Sequence, residues 1–314
     1  MGRRRRSGKP INGWLIVDKD QGMTSTAVVA AVRRLTNAQK AGHGGTLDPL
    51  ATGVLPIALG EATKTVPFVM DSTKSYDFTV RFGEARDTDD SEGAVVAQSD
   101  ARPDDAAVAA ALERFRGTIQ QVPPRYAAVK IDGERAYDLA RRGEVIELEP
   151  RPVVVHALEL VDRPDADHAR FTMTCGKGAY VRAIARDLGG VLGCYGHVTS
   201  LRRSSVGAFT VEDGISLATL ERIVADDALP QVLVPLATAL ADIPALAVTE
   251  PQAQRLRAGQ AIRTAGRLVQ GESDADTICV QLAGQVVALA RFDGEWVSPL
   301  RVFNLSQSRP APGA

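Results

Sequence analysis

Two stretches of this sequence hold reactive side chains where helical and strand patterns begin or end. AGHGGTLDPLATGVLP, residues 41–56, sets a single carboxylate, Asp48, among four glycines and two prolines. By pattern alone the stretch reads as an ordinary loop, since Asp-Pro is a turn dipeptide and glycines punctuate loops. Neither GxxxxGK[ST] nor GxGxxG occurs in the chain, so phosphate cradling by a P-loop is excluded. CGKGAYVRAIARDLG, residues 175–189, puts Tyr180 and Arg182 in the first turn of a helix, behind Gly176 and Gly178. A cation there opposes the helix dipole by about a few tenths of a kcal/mol. A carboxylate partner would explain the placement, and Asp48 is the candidate by role.

The other reactive residue types do not cluster. His43, His156, His168 and His197 show no HExxH spacing, and Cys175, Cys194 and Cys279 form no CxxC. A disulfide framework and a metal site are therefore not expected. Any catalysis here is expected to be metal-free.

These residues need elements to position them. Residues 14–17 read as a short apolar strand. Thr24 or Ser25 caps a helix with Val28, Val29, Val32 and Leu35 at helical spacing. Tyr76, Phe78, Val80 and Phe82 alternate with polar neighbours, the period of a half-buried strand. Asp104 or Asp105 caps a helix with Val108, Leu112 and Phe115 inward. Residues 153–161 and 169–173 read as strands, and residues 179–192 as a helix with Val181, Ile184, Ala185, Leu188 and Val191 on one face. Strands and helices come in mixed order without βαβ repeats, which predicts an α+β fold with a mixed, largely antiparallel sheet flanked by helices. Residues 226–242, acidic and broken by prolines, read as a linker. Beyond it, segments at 246–249, 277–283, 286–292 and 300–303, with a short helix at 252–256, predict a small β-rich domain.

The chain has 314 residues, 45% hydrophobic and 24% charged, enough for a large core without staples and unlike collagen, coiled coil or disorder. The 37 Lys and Arg against 38 Asp and Glu argue against a uniformly basic surface. The charge is segregated, however. Residues 1–40 hold nine basic and two acidic side chains, 71–100 hold three and eight, and 211–250 hold one and seven; 151–210 is positive by three and 251–314 by two. With a Debye length of about 8 Å, a polyanion responds to the local patch, so nucleic acid is a candidate partner. Arg3 to Arg6 precede no apolar h-region, and no apolar run approaches membrane-spanning length. A cytoplasmic protein with no membrane association is expected.

The two glycine-rich stretches, the Lys-Ser-Tyr-Asp-Phe around Tyr76 and the Ser-Leu-Arg-Arg at 200–203 together resemble the TruB family of tRNA pseudouridine synthases. The likeness covers residues 13–207, with the motifs in the same order. It implies the pseudouridine synthase fold and conversion of uridine 55 in the tRNA T loop to pseudouridine, the base detaching at N1 and rejoining through C5. It also implies Asp48 as catalytic nucleophile, Arg182 as its partner, and His43, Tyr76, Tyr180 and Leu201 as contacts to the substrate nucleotide, with Tyr76 also placed to move the C5 proton. No cofactor or protein partner is implied, and a monomer acting on the T arm is expected.

Some residues depart from the family pattern: Gly44 stands where Thr is common, Lys19-Asp20 where Lys-Pro is common, and Gly176 and Ala179 where Ser and Thr are usual. Gly44 is read here as making the loop more permissive.

The implied organisation is a basic tail at 1–11, a catalytic domain at 12–240, a PUA-like RNA-binding domain at 245–305 and a tail at 306–314. Residues 123–152, with Arg125, Lys130, Arg135, Arg141, Arg142 and Arg151 around Tyr126 and Tyr137, resemble the family's mobile RNA-closing insertion; a solvated helix face at 138–142 is the alternative. Arg255, Arg257, Arg263 and Arg267 are candidate phosphate contacts. Two further readings fit the motifs: a guide-RNA-dependent synthase subunit, and a noncatalytic tRNA-binding or folding protein, which would have no use for Asp48.

Overall fold

Trp14, Leu15, Ile16 and Val17 are all buried, and consecutive apolar residues are what a strand covered on both faces requires. That strand is β1 (Gly13–Lys19) in a computed structural model that describes residues 8–127, 130–131, 134–135, 142, 148–263 and 277–305. Next come α1 (Ser25–Thr36), β2 (Ala41–His43), β3 (Thr52–Leu59), α2 (Val66–Asp71), β4 (Lys74–Phe82), β5 (Glu84–Arg86) and β6 (Val95–Gln98). The middle of the chain forms α3 (Asp105–Leu112), β7 (Gly117–Gln121), β8 (Lys130–Ile131), β9 (Glu134–Arg135), β10 (Arg151–Asp162) and β11 (His168–Cys175). Then follow α4 (Val181–Val191), β12 (Gly196–Val206), β13 (Phe209–Thr210) and α5 (Leu217–Ala225). The last elements are β14 (Ala245–Ala247), α6 (Glu250–Arg257), β15 (Ile262–Arg263), β16 (Ile278–Leu282), β17 (Gln285–Phe292) and β18 (Trp296–Val302).

The main sheet has nine strands in the order β1-β3-β12-β4-β11-β10-β7, with β2 on β3 and β13 on β12. Within this sheet, among the described residues, only β3 and β12 pair in parallel, so the sheet is mixed and largely antiparallel as expected. The strand period sorts side chains between two cores. Leu15, Val17, Leu55, Ile57 and Leu59 face a core shared with α1, α3 and α4. Trp14, Ile16, Val54 and Ala58 face a second core that includes Phe209, Leu236 and Leu240 as well as Cys279, Val286, Leu289 and Phe303 of the C-terminal part.

Local chemistry sets the element ends. Thr24 caps α1, its side chain accepting from Ala27 N at 3.1 Å, and Asp104 caps α3 by accepting from Ala107 N at 2.7 Å. Helix α4 lies so close to β12 that a Cβ on Gly189 would stand 2.2 Å from Gly196 N. That approach seats the end of α4 against the start of β12.

The 226–242 segment is more than a linker. Trp14 and Val234 exchange two backbone hydrogen bonds, both 2.8 Å, so the segment covers the outer edge of β1, and Leu236 and Leu240 are buried in the second core. Covering an open edge removes unpaired backbone groups from solvent. The C-terminal sheet has five strands, β14-β16-β17-β18-β15, around its own core of Leu246, Ile278, Val280, Ala288 and Val297.

Candidate active site

Asp48 sits on the loop that joins β2 to β3, and its side chain is 34% exposed. Neighbouring segments hold that loop by its main chain. The Ser25 hydroxyl accepts from Leu47 N at 2.8 Å and lies 3.0 Å from Leu47 O, and Gly22 N donates to Pro49 O at 2.7 Å. Lys19, only 1% exposed, donates to the carbonyls of Asp20, Met23 and Pro49 at 2.9, 2.9 and 3.2 Å. Burial lowers the Lys19 pKa, and the Asp48 charge opposes that shift. Arg203 on β12 donates to Val54 O at 2.8 Å and to Thr46 O and Gly45 O at 3.1 Å each. A carboxylate on a loop fixed this way has one orientation before substrate arrives, which lowers the cost of reaching a reactive geometry.

Arg182, the second residue of α4, supplies that orientation directly. Its Nε donates to Asp48 Oδ2 at 2.9 Å and lies 3.6 Å from Asp90 Oδ2. The two Nη groups donate to Thr88 O at 2.8 Å and Tyr126 O at 3.0 Å. Asp90 is itself buried and held by the Thr88 hydroxyl at 2.6 Å and Glu92 N at 3.0 Å. Asp48 Oδ1 accepts no hydrogen bond among the described residues. One carboxylate oxygen is thus pinned and the other is available to an electrophile.

Beside this pair opens a cavity of about 600 Å³ whose wall includes Asp48, Tyr76, Gln121, Tyr180, Leu201 and Arg203. Tyr76 projects from β4 and Leu201 from β12, near the middle of the sheet, and Tyr180 caps the start of α4. Burial pushes both phenols above their ordinary value; Arg203 opposes this at Tyr76, and Asp48 reinforces it at Tyr180. Burial also brings Lys74, in the same wall, down to about 8, with the Arg203 charge adding to the effect. The site therefore offers an oriented carboxylate, two rings able to stack on a planar base, and a phenol able to exchange a proton.

Of the residues singled out from the sequence, Asp48, Tyr76, Tyr180 and Leu201 share this cavity and Arg182 braces it from behind. His43 lies on β2, opposite Ile57 of β3, and is not part of the cavity wall. The site also contains residues that the sequence reading left out. Gln121 is buried at the end of β7 and bonds the main chain of Tyr180 in both directions, Oε1 accepting from Tyr180 N at 2.8 Å and Nε2 donating to Tyr180 O at 3.2 Å. Nothing in its own segment signals this. Asp90 is one of eight acidic residues in the 71–100 stretch, with nothing to single it out. Arg203 could have been found, since it follows Leu201 by two residues and so shares its face of β12.

The basic residues of the tail, the insertion and the C-terminal region divide. Arg151 is exposed in the cavity wall. Arg255 donates to Ala261 O at 3.1 Å, Arg257 pairs with Glu250 at 3.3 Å, and Arg263 pairs with Glu295. Arg3 to Arg6, Tyr137, Arg141 and Arg267, the side chains of Lys130 and Arg135, and most of the 138–142 segment lie outside the described residues. Among the described residues no group of three or more His, Cys, Asp or Glu side chains could hold a metal ion, and no helix is long and apolar enough to cross a membrane.

Residues 33–181 match the N-terminal domain of TruB family pseudouridylate synthases, and residues 182–241 match the tRNA pseudouridylate synthase B C-terminal domain. The chain is 55% identical over 314 residues to tRNA pseudouridine synthase B of Bradyrhizobium diazoefficiens, covering 98% of this chain and 90% of that protein. It is 54% identical over 303 residues to the tRNA pseudouridine synthase B of Cereibacter sphaeroides, covering 96% and 99%. Among solved structures, a chain from an H/ACA RNP bound to a substrate RNA containing 2′-deoxyuridine shares the fold, with a TM-score of 0.75 and 22% identity over 98% of this chain and 92% of that one.

Proposed function

The chain belongs to the TruB family of pseudouridylate synthases, and from that premise we propose that it isomerises uridine 55 in the T loop of tRNA to pseudouridine, with Asp48 as the nucleophile. The observation that carries the assignment is the Asp48–Arg182 pair opening onto a cavity lined by Tyr76, Tyr180 and Leu201. In this reaction the N1–C1′ bond of uridine breaks, the base turns, and C5 bonds to C1′. The C5 proton leaves and N1 gains one, so substrate and product have the same composition and no redox partner enters.

The target base lies inside a folded loop and must be flipped out, at a cost of about a few kcal/mol. Stacking on an aromatic ring returns about 1–3 kcal/mol per base, and Tyr76 and Tyr180 are placed to supply it. Arg182 holds Asp48 with one oxygen directed to the base-bearing carbon, while the Tyr76 phenol takes the C5 proton. The 245–305 region acts as a PUA-like RNA-binding domain, with recognition by the folded shape of the T arm. The protein works as a monomer in the cytoplasm, without a protein partner.

The test is tritium release from uridine labelled at C5, in an unmodified T-arm hairpin and in full tRNA, with the purified chain. Release by the wild type, together with hairpin binding but no release by Asp48→Ala, is the expected result. Wild-type turnover by Asp48→Ala removes the nucleophile assignment. A folded wild type inactive on both substrates favours the guide-RNA-dependent reading.

A further inference from the structure

Arg203 is 1% exposed, yet it contributes to the cavity wall. Its neighbour Arg202 points to the other face of β12 and makes a bidentate pair with Asp18, both bonds 2.9 Å. Arg203 has no such partner: its hydrogen bonds go to the carbonyls of Gly45, Thr46 and Val54, and no carboxylate among the described residues forms an ion pair with it. A buried charge without an opposite charge is costly. Neutral donors could hold three carbonyls, so the charge itself calls for a role.

Two features show where that charge acts. The three carbonyls flank Asp48 on both sides of the loop. The backbone reinforces the clamp, since Arg203 pairs with Gly53, which has φ +98° and where a Cβ would stand 2.2 Å from Arg203 O. On its other edge β12 sets Arg203 directly opposite Tyr76 of β4, and residues opposite each other on adjacent strands share a face.

We propose that Arg203 is a positioning residue for the isomerisation, holding the loop that presents Asp48 and placing its charge beside the Tyr76 phenol so that the phenol accepts the C5 proton. This rests on the function proposed above. In the step concerned, the C5–H bond breaks and its electron pair forms the C5–C6 double bond. The pair of the former N1–C6 double bond moves to N1, which takes a proton from solvent, and the Tyr76 oxygen, in its phenolate form, receives the C5 proton. Among the described residues, Arg203 on β12, Cys175 on β11, Asp48 on the loop and Lys74 on its own strand stand around Tyr76, and the same cavity wall also carries Asp71, Arg151, Lys177 and Tyr180. Burial, Cys175 and Asp48 disfavour the phenolate, and Arg203 opposes them.

The experiment is single-turnover tritium release from the C5-labelled T-arm hairpin as a function of pH, with wild type, Arg203→Lys and Arg203→Met. Hairpin affinity and unfolding midpoint are measured alongside. Arg203→Met should lower the rate near neutral pH by about 100-fold or more, a loss on the scale of general-base catalysis, and displace the rising limb of the pH profile to higher pH, with affinity changed less than about threefold. Arg203→Lys keeps the charge but cannot span all three carbonyls, so its rate should fall about tenfold with the limb unmoved. A wild-type rate in either variant, an unmoved limb in Arg203→Met, or an equal displacement in both variants overturns the proposal. If Arg203→Met does not fold, Arg203→Lys decides alone: a wild-type rate or a displaced limb overturns it. A wild type that releases no tritium defeats the functional reading instead.

Discussion

Arg182 Nε stands between two carboxylates, 2.9 Å from Asp48 Oδ2 and 3.6 Å from Asp90 Oδ2, with Asp48 partly exposed to the cavity and Asp90 buried behind it. One guanidinium therefore orients the cavity carboxylate and offsets the charge of the buried one. Removing it leaves Asp90 without a counter-charge and the Thr88 and Tyr126 carbonyls without a donor. Arg182→Ala should lower the free energy of unfolding by about 3–5 kcal/mol, the usual result of breaking a buried pair from one side, and abolish tritium release. Adding Asp90→Ala should recover part of the stability in urea melts without recovering activity. A single variant as stable as the wild type would show that Asp90 does not depend on this cation.

Gln121 governs the ring at the other wall of the cavity. Its amide makes both of its bonds to the Tyr180 main chain, at the start of a helix that has no side-chain cap of its own. Gln121→Ala should cost about 1–3 kcal/mol, the penalty for buried backbone groups left unbonded, and weaken hairpin binding several-fold as Tyr180 loses its fixed position. Gln121→Glu can still accept from Tyr180 N but cannot donate to its carbonyl, and should fall between the two. Unchanged hairpin affinity in Gln121→Ala would separate Tyr180 from substrate binding.

The parts of this molecule that were legible in the sequence are those set by local physics. The consecutive apolar residues of β1, the alternation through Tyr76 and the Asp104 cap follow from neighbours in sequence. An Arg in a first turn pointed toward a carboxylate, and the structure places Arg182 on Asp48. What was not legible depends on contacts across the fold. Residues 226–242 looked like a linker because acidic and proline residues dominate their composition, while Leu236 and Leu240 do the packing. Strand β18 begins at Trp296, before the segment expected from residue 300; the sequence hid those first residues because Pro299 argues against a strand and Trp296, Ser298 and Leu300 face solvent. Gln121 and Arg203 are placed by pairing between strands far apart in sequence.

Asp89 should make stability depend on pH. Burial raises its carboxyl from an ordinary 3.8 to about 6, with the Arg186 charge opposing. A carboxyl whose folded pKa is raised stabilises the fold when protonated, so its contribution is fully present below about pH 4 and lost as pH rises through about 6. From pH 4 to pH 7 the wild type should lose up to about 3 kcal/mol relative to Asp89→Asn. Asn suits the site because residue 89 has φ 60°, a region Asn tolerates. Parallel urea titrations of the two chains across this range would refute the assignment of the shift to Asp89.

Gly44, read from its type as making the loop more permissive, also sits under tight packing. A Cβ there would stand 2.8 Å from Val69 Cγ1 and 3.1 Å from the Trp14 ring, and Trp14 is fully buried, its indole donating to Thr65 Oγ1 at 3.2 Å. The glycine leaves room for both the Val69 side chain and the indole packed over it. Gly44→Thr should therefore destabilise the chain by about 1–3 kcal/mol through overpacking and lower turnover through the displaced Asp48 loop. Trp14→Val alone should also destabilise, by leaving a cavity. Combined, the threonine occupies space that the indole vacates, so the double variant should be more stable than the sum of the single losses predicts, with a coupling of about 1 kcal/mol or more in a double-mutant cycle. Strict additivity in chemical denaturation would mean that position 44 and the indole do not compete for the same volume.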